Sequence, residues 1–214
     1  MRSVDDPMFG PPLTLPFPVG TSPFRQKGNA YLGDVRYLDA TVSGGFAAVV
    51  AALPEPSLRT FFQQRFRAGE WYDAYPSTAL ESVAARLRGT SFTTQRRRTG
   101  SWHAEHAAQG LYGTLLRFVS NDSLALWGPR ISSLYFEFGK TETRVVAPHE
   151  ILAVRRGIPR ELVQWVVYAS AGFCETTLRL AGAARATVAV EDVEPDGEAH
   201  RRELMRVNLR LRWA

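Results

Sequence analysis

The chain has 214 residues, 45% of them hydrophobic and 22% charged, a balance that fits one soluble globular domain with a sizeable core and excludes disordered, collagenous and fibrous chains. Its 26 basic residues, of which only Lys27 and Lys140 are lysine, stand against 21 acidic ones, and the net charge of +5 permits anionic partners without requiring them. The single Cys174 excludes an internal disulfide and any zinc site that needs two thiolates, and no apolar run reaches the roughly 18 residues of a membrane span.

The first twenty residues carry five prolines and no continuous apolar segment followed by a cleavage site, so they read as a cytoplasmic start rather than a signal peptide. Residues 1–27 are expected to form a Pro-rich arm or strap, loose over its first twelve residues, and 28–214 a single domain. YLGDVRYLDA (31–40) is read as a strand or loop, Ser43 as the cap of a helix over FAAVVAAL, and Pro56 as the start of a helix that ends at Gly69 with Leu58, Phe61, Phe62 and Phe66 on one face. WYDAYP is read as an aromatic turn, and Thr78 with Glu81 as a capping box opening the next helix. TSFTTQRRRTG (90–100) holds the one charge run and is read as a solvated loop.

A longer helix is expected from about Ser101 to Val119, with Ala108, Tyr112 and Leu115 facing inward, followed by a second helical stretch through Trp127 to Phe138; LYFEF as a strand is the alternative. After Gly139, TETRVVAP and EILAVRR predict a hairpin. Pro159 opens a nearly all-apolar helix, with Leu162, Val166, Ala169, Phe173 and Leu180 on one face and an end at Gly182. Two strands turning at Pro195–Gly197 close the chain, and Met205, Val207, Leu209, Leu211 and Trp213 alternate with polar residues as a half-buried antiparallel strand requires. The sum is an α+β domain in which N-terminal helices pack with a C-terminal antiparallel sheet built as hairpin, buried helix, hairpin.

No residue pattern announces catalysis: there is no GxSxG elbow, no phosphate loop and no dinucleotide glycine motif. His103 and His106, three apart on a helix, have a spacing that could serve a metal, but the wheel places His103 opposite the inner stripe, and both read as surface residues. Cys174, beside Phe173 on an apolar helix, reads as an inert core thiol. Arg96 to Arg98 and the outward Arg206, Arg210 and Arg212 are two separate basic groups and make a nucleic-acid partner the weaker reading. The aromatic density is the distinctive feature. Phe62, Phe66, Trp71, Tyr72, Tyr75, Tyr112, Trp127, Tyr135, Phe138 and Phe173 are expected to line an apolar ligand pocket, with a plain aromatic core as the competing reading.

GEWYDAYP, HAAQGLYGTLLRF, the aromatic segment closing at Gly139, ETTLRLAGA and the final RLRW together resemble a paralogous myxobacterial family of proteins of unknown function, over residues 28 to 213. That family is similar in layout to the superfamily of haem NO-binding domains, 4-vinyl reductase small-molecule domains and subunits of the TRAPP tethering complex. The resemblance implies an apolar cavity between helices and sheet and a tendency to pair as homodimers. The Tyr-x-Ser-x-Arg haem clamp and the cysteine clusters of some members are absent from this chain, so neither haem nor metal is expected as a cofactor. The function expected is that of a non-enzymatic small-molecule binding or sensory module, its ligand apolar or lipid-like, that signals through a protein partner or a second copy. A TRAPP-like scaffold and a haem gas sensor are the alternatives.

Overall fold

The computed structural model describes residues 3–107, Ser123 and 134–214, so the expectations for 108–122 and 124–133, Tyr112 and Trp127 included, lie outside the described residues. Six helices among these residues are α1 (Gly28–Thr41), α2 (Gly45–Ala51), α3 (Pro56–Gln63), α4 (Tyr75–Leu87), α5 (Phe92–Ala107) and α6 (Val163–Leu180). Short strands β1 (Arg25–Lys27) and β2 (Trp71–Asp73) pair antiparallel near the N-terminus. A four-stranded antiparallel sheet in the order β3-β4-β6-β5 is formed by β3 (Lys140–Ala147), β4 (Glu150–Pro159), β5 (Ala186–Ala199) and β6 (Arg202–Trp213). The fold class is the α+β arrangement expected, with a hairpin on each side of the apolar helix in sequence.

The Pro-rich segment lies on the domain. Val4, Phe9 and Phe24 are buried in the main core, and Asp73 Oδ2 accepts hydrogen bonds from the Gly20 and Ser22 amides while its Oδ1 accepts the Tyr75 amide, tying the strap to the start of α4. YLGDVRYLDA is helical, contrary to the strand-or-loop reading. Ala30, Tyr31, Asp34, Tyr37 and Leu38 share its buried face, and the acidic Asp34 in that stripe is what breaks the apolar signature. The α2 cap is Gly44, with φ of 77°, rather than Ser43, and α3 stops at Gln63, short of Gly69. WYD is a strand, not a turn, and α4 begins at Tyr75, which leaves Thr78 and Glu81 inside the helix instead of capping it.

The largest departure is the stretch read as a solvated loop. Residues from Phe92 are helical, Ser91 Oγ accepts the Thr94 amide at the helix start, and Gln95, Arg96, Thr99, Gly100 and Ala104 form the buried face. Helical periodicity is present, but polar residues carry it. Arg96 is the reason they tolerate burial. Its Nη1 lies 2.9 Å from Glu81 Oε1 of α4 and 3.7 Å from Asp34 Oδ1 of α1, its Nε donates to the Trp165 carbonyl of α6 at 3.0 Å, and the guanidinium sits 4.4 Å from the centre of the Trp165 ring. Gln95 Nε2 donates to the other Glu81 oxygen at 3.0 Å.

Helix α6 is sandwiched between α5 and the sheet. Gly100 of α5 and Gly172 of α6 bring the two backbones together: a Cβ on Gly100 would collide with the Ala169 carbonyl, and one on Gly172 with the Arg97 carbonyl. Helix α6 begins at Val163 rather than Pro159, which ends β4; of the face expected to be buried, Leu162 in the 3-10 turn before the helix and Val166 are in the core, whereas Leu180 is 43% exposed at the helix end. On β6 the alternation holds, with Met205, Val207, Leu209, Leu211 and Trp213 all buried. The last hairpin turns at His200 and Arg201, both with positive φ, because Pro195–Gly197 forms a bulge within β5 rather than the turn. The outer sheet face carries ion pairs: Arg206 with Glu194, Arg210 with Glu191 and Glu150, and Arg212 with Glu150.

Two outcomes follow from this packing. Gly100→Ala is expected to destabilise the fold by about 1–3 kcal/mol through overpacking, read as a lower urea midpoint, while Gly69→Ala, with nothing within 4 Å of its Cβ position, stays within about 0.5 kcal/mol. Arg96→Met leaves Glu81 and Asp34 buried without their cation and is expected to cost about 3–5 kcal/mol at pH 7. Burial already raises the Glu81 carboxyl above its ordinary value of 4.5, so its contribution is favourable below that value and is lost as pH rises through the folded-state value. The deficit of the variant relative to wild type is therefore expected to shrink as the pH of the denaturation series is lowered toward 4.5.

Candidate functional site

Between α5, α6 and the inner face of the sheet lies a cavity of about 170 Å³. Strand parity fixes one wall: Ile151, Ala153 and Arg155 of β4 point inward, and Leu209 and Leu211 of β6 stand beside them through the pairs Ala153–Leu209 and Ile151–Leu211. Helix α6 supplies Phe173, Cys174 and Thr177, and α5 supplies Gly100 and His103. Tyr135 and Phe136, just before the sheet, close another side. The wall is largely apolar, so the polar groups in it are conspicuous.

Arg155 is the most unusual of these groups. It is 4% exposed, its guanidinium lies 4.7 Å from the centre of the Phe136 ring, and its one hydrogen bond is Nη1 to Ser170 Oγ at 3.5 Å. Among the described residues Nε and Nη2 have no partner, and Arg155 forms no ion pair. Burial lowers its pKa to about 10, which leaves it charged at neutral pH. Thr177 Oγ1 and Gln26 Oε1, both on the cavity wall, are also unpartnered; the Gln26 amide nitrogen is engaged with Ser77. His103 is half-buried, with Nε2 3.1 Å from Asp34 Oδ1 on α1, and so is not the surface residue expected. His106 is exposed, stacked on Trp102. Burial pushes the Cys174 thiol up to about 11, with the Glu175 charge adding to the effect.

The expected aromatic residues separate into distinct places. Tyr135 and Phe173 line the cavity, their rings 6.5 Å apart. Phe62, Phe66 and Tyr72 instead pack in a second core around Tyr31, with Tyr31 and Phe66 stacked at 4.4 Å. Trp71 lies under the Lys27 ammonium. Tyr75 and Phe138 are buried in the main core against Phe24, and the Tyr75 hydroxyl donates to Glu161. These six do not line the cavity. Tyr112 and Trp127 fall outside the described residues. Sequence reasoning passed over Arg155, Gln26 and Thr177. The available signal was parity, since Arg155 falls on the same side of the strand as the apolar Ile151 and Ala153.

No family model matches the chain, and no curated protein does. Solved structures do. A Cs H-NOX mutant carrying 4-cyano-L-phenylalanine is similar with a TM-score of 0.64 at 10% identity, over 87% of this chain and 96% of that one. The Fe(II) unliganded H-NOX protein from K. algicida matches with 0.64 at 10% identity, over 88% and 96%. An oxygen-binding H-NOX domain related to soluble guanylate cyclases matches with 0.62 at 12% identity, over 87% and 94%. The fold is that of the H-NOX domains. At these identities the likeness is one of architecture, and in this H-NOX-like fold the chemistry must be read from the chain's own residues.

Among the described residues, no three His, Cys, Asp or Glu side chains gather as a metal site, and no helix is long and apolar enough to cross a membrane. Raising the Cys174 pKa from 9.0 to about 11 lowers its thiolate fraction at pH 8 by about 100-fold. Labelling of the native protein with a thiol reagent is expected to be slow at pH 8, to accelerate toward pH 11, and to become fast at pH 8 in denaturant.

Proposed function

We propose that the chain is a non-enzymatic sensory module that binds a small apolar molecule in the cavity between α5, α6 and the sheet, and reports occupancy through contacts with another protein or a second copy. The observation that supports this is the cavity itself: about 170 Å³ of space with a largely apolar wall. An apolar cavity of about 150 Å³ is enough to take up benzene, so this one suits a ligand of a single ring or a short chain. The fold shared with an oxygen-binding H-NOX domain supports a ligand-binding role over a catalytic one.

Two further structures of similar fold concern haem redox potential and haem distortion in the H-NOX family, and haem is the second reading. The described residues do not fit it. The chain has four histidines, and only His103 lines the cavity, with its Nε2 turned to Asp34 and its ring edge against Gly33 of α1. His149 and His200 sit in turns against Trp213 and Phe24, and His106 stacks on Trp102 at the surface. Cys174 and Tyr135 are both shifted by burial toward their neutral forms, which are poor iron ligands. A porphyrin is also several times larger than benzene. Arginine-rich surfaces would serve a scaffold, but the β6 arginines are neutralised by Glu150, Glu191 and Glu194 and offer little unspent charge for docking.

Toluene tests the reading. At ten times its dissociation constant it is expected to stabilise the wild type by about 1.4 kcal/mol, a rise of roughly 3–6 °C in melting temperature. Ala153→Leu, which fills part of the cavity, is expected to keep its far-ultraviolet circular dichroism and lose most of that rise. Absence of any rise in the wild type, or an equal rise in the variant, overturns the reading.

A further inference from the structure

Resting on the cavity reading, we infer that the ligand is an organic monocarboxylate, its carboxylate held by the unpaired side-on fork of Arg155 and its apolar body lying against Ile151, Phe173, Leu209 and Leu211. The argument begins with the arginine's surroundings. It stands on the inner face of β4 between Thr141 of β3 and Val207 of β6, under the Phe136 ring, and faces Ser170 and Cys174 of α6. None of these neighbours is an anion at neutral pH. Among the described residues the nearby buried carboxylates belong elsewhere: Glu81 and Asp34 are drawn to Arg96, and Glu175 pairs with Arg97 and accepts the Val188 amide. A guanidinium buried without a counter-ion is strongly unfavourable, so a fold that keeps one beside an apolar space is poised for an anion that enters with the ligand.

The two free nitrogens define the kind of anion. Nε and Nη2 lie on one edge of the guanidinium and present parallel N–H donors whose spacing matches the two oxygens of a carboxylate. Nη1, on the other edge, is the nitrogen already bonded to Ser170. One such edge neutralises one negative charge, and the other arginine on the wall, Arg96, is already held by Glu81 and Asp34, which favours a carboxylate over a phosphate dianion. The volume sets the remainder at about one aromatic ring or a short alkyl chain. Thr177 Oγ1 and Gln26 Oε1, each unpartnered on the wall, would accept a hydroxyl substituent on such a body.

The test compares benzoate with toluene in thermal denaturation and calorimetry of the full chain, in wild type and Arg155→Met. Both probes are expected to bind the wild type. In the variant benzoate affinity is expected to fall at least 100-fold while toluene still raises the melting temperature, and the variant without ligand is expected to melt higher than wild type because an unpaired buried charge is gone. Arg155→Lys, which keeps the charge and loses the fork, is expected to bind benzoate more weakly than wild type. Benzoate that fails to bind where toluene binds, or that binds wild type and Arg155→Met equally, overturns the carboxylate assignment and leaves the cavity reading standing. If neither probe binds, both fall.

Discussion

A single buried cation organises the helical half. Arg96 reaches Glu81 on α4, Asp34 on α1 and the Trp165 carbonyl on α6, so one side chain fixes the relative positions of four helices, its own included. Such a cluster adds little net stability over an apolar core of the same volume, because desolvation offsets the Coulomb attraction. What it supplies is register. An apolar residue at 96 would accept several rotations of α5, whereas a guanidinium with three directed partners accepts one. That orientation then turns Gly100 toward Ala169 and Gly172 toward Arg97, where the absence of side chains lets α5 and α6 touch. The cavity lies beside this contact, with Gly100 and His103 of α5 and Phe173, Cys174 and Thr177 of α6 on its wall.

The C-terminal half was legible in the sequence because its physics is binary. From Met205 to Trp213 every second residue is buried, and the preceding helix is apolar over most of its surface, so period alone assigns both. The helical half was not, and the reason lies in particular residues. Asp34, Gln95, Arg96 and Thr99 occupy buried helical positions, and an eye trained on apolar spacing reads them as surface or loop. Their partners are distant in sequence, so nothing local reveals that burial is compensated. The aromatic clusters misled for a related reason. Large rings at 61–75 satisfy one another through edge and stacked contacts around Tyr31, forming a filled core where an open pocket was expected.

Similarity to H-NOX domains over most of this chain, at 10–12% identity, shows how little of a fold depends on particular residues. The layers require a sheet with one apolar face, a helix that packs on it and further helices that cover that helix. These demands constrain hydrophobic pattern and leave the lining free to change. In this chain the lining has a thiol held neutral, a histidine turned away to Asp34 and a cation facing inward. That set favours an anionic organic ligand over a metal-bearing one.

The two buried arginines make the distinction between structure and function concrete. Arg96 and Arg155 are equally inaccessible, both stack on an aromatic ring, and they line the same cavity. They differ in how their donors are satisfied. Arg96 has two carboxylates and a carbonyl, a complete shell that explains its burial without any ligand. Arg155 has one long contact to a hydroxyl and two idle nitrogens. Selection for stability alone would replace such a residue with methionine or leucine, since the exchange removes an uncompensated charge and fills space. Retaining it is understandable if the missing partner arrives from outside, and the edge it leaves open defines what that partner must present.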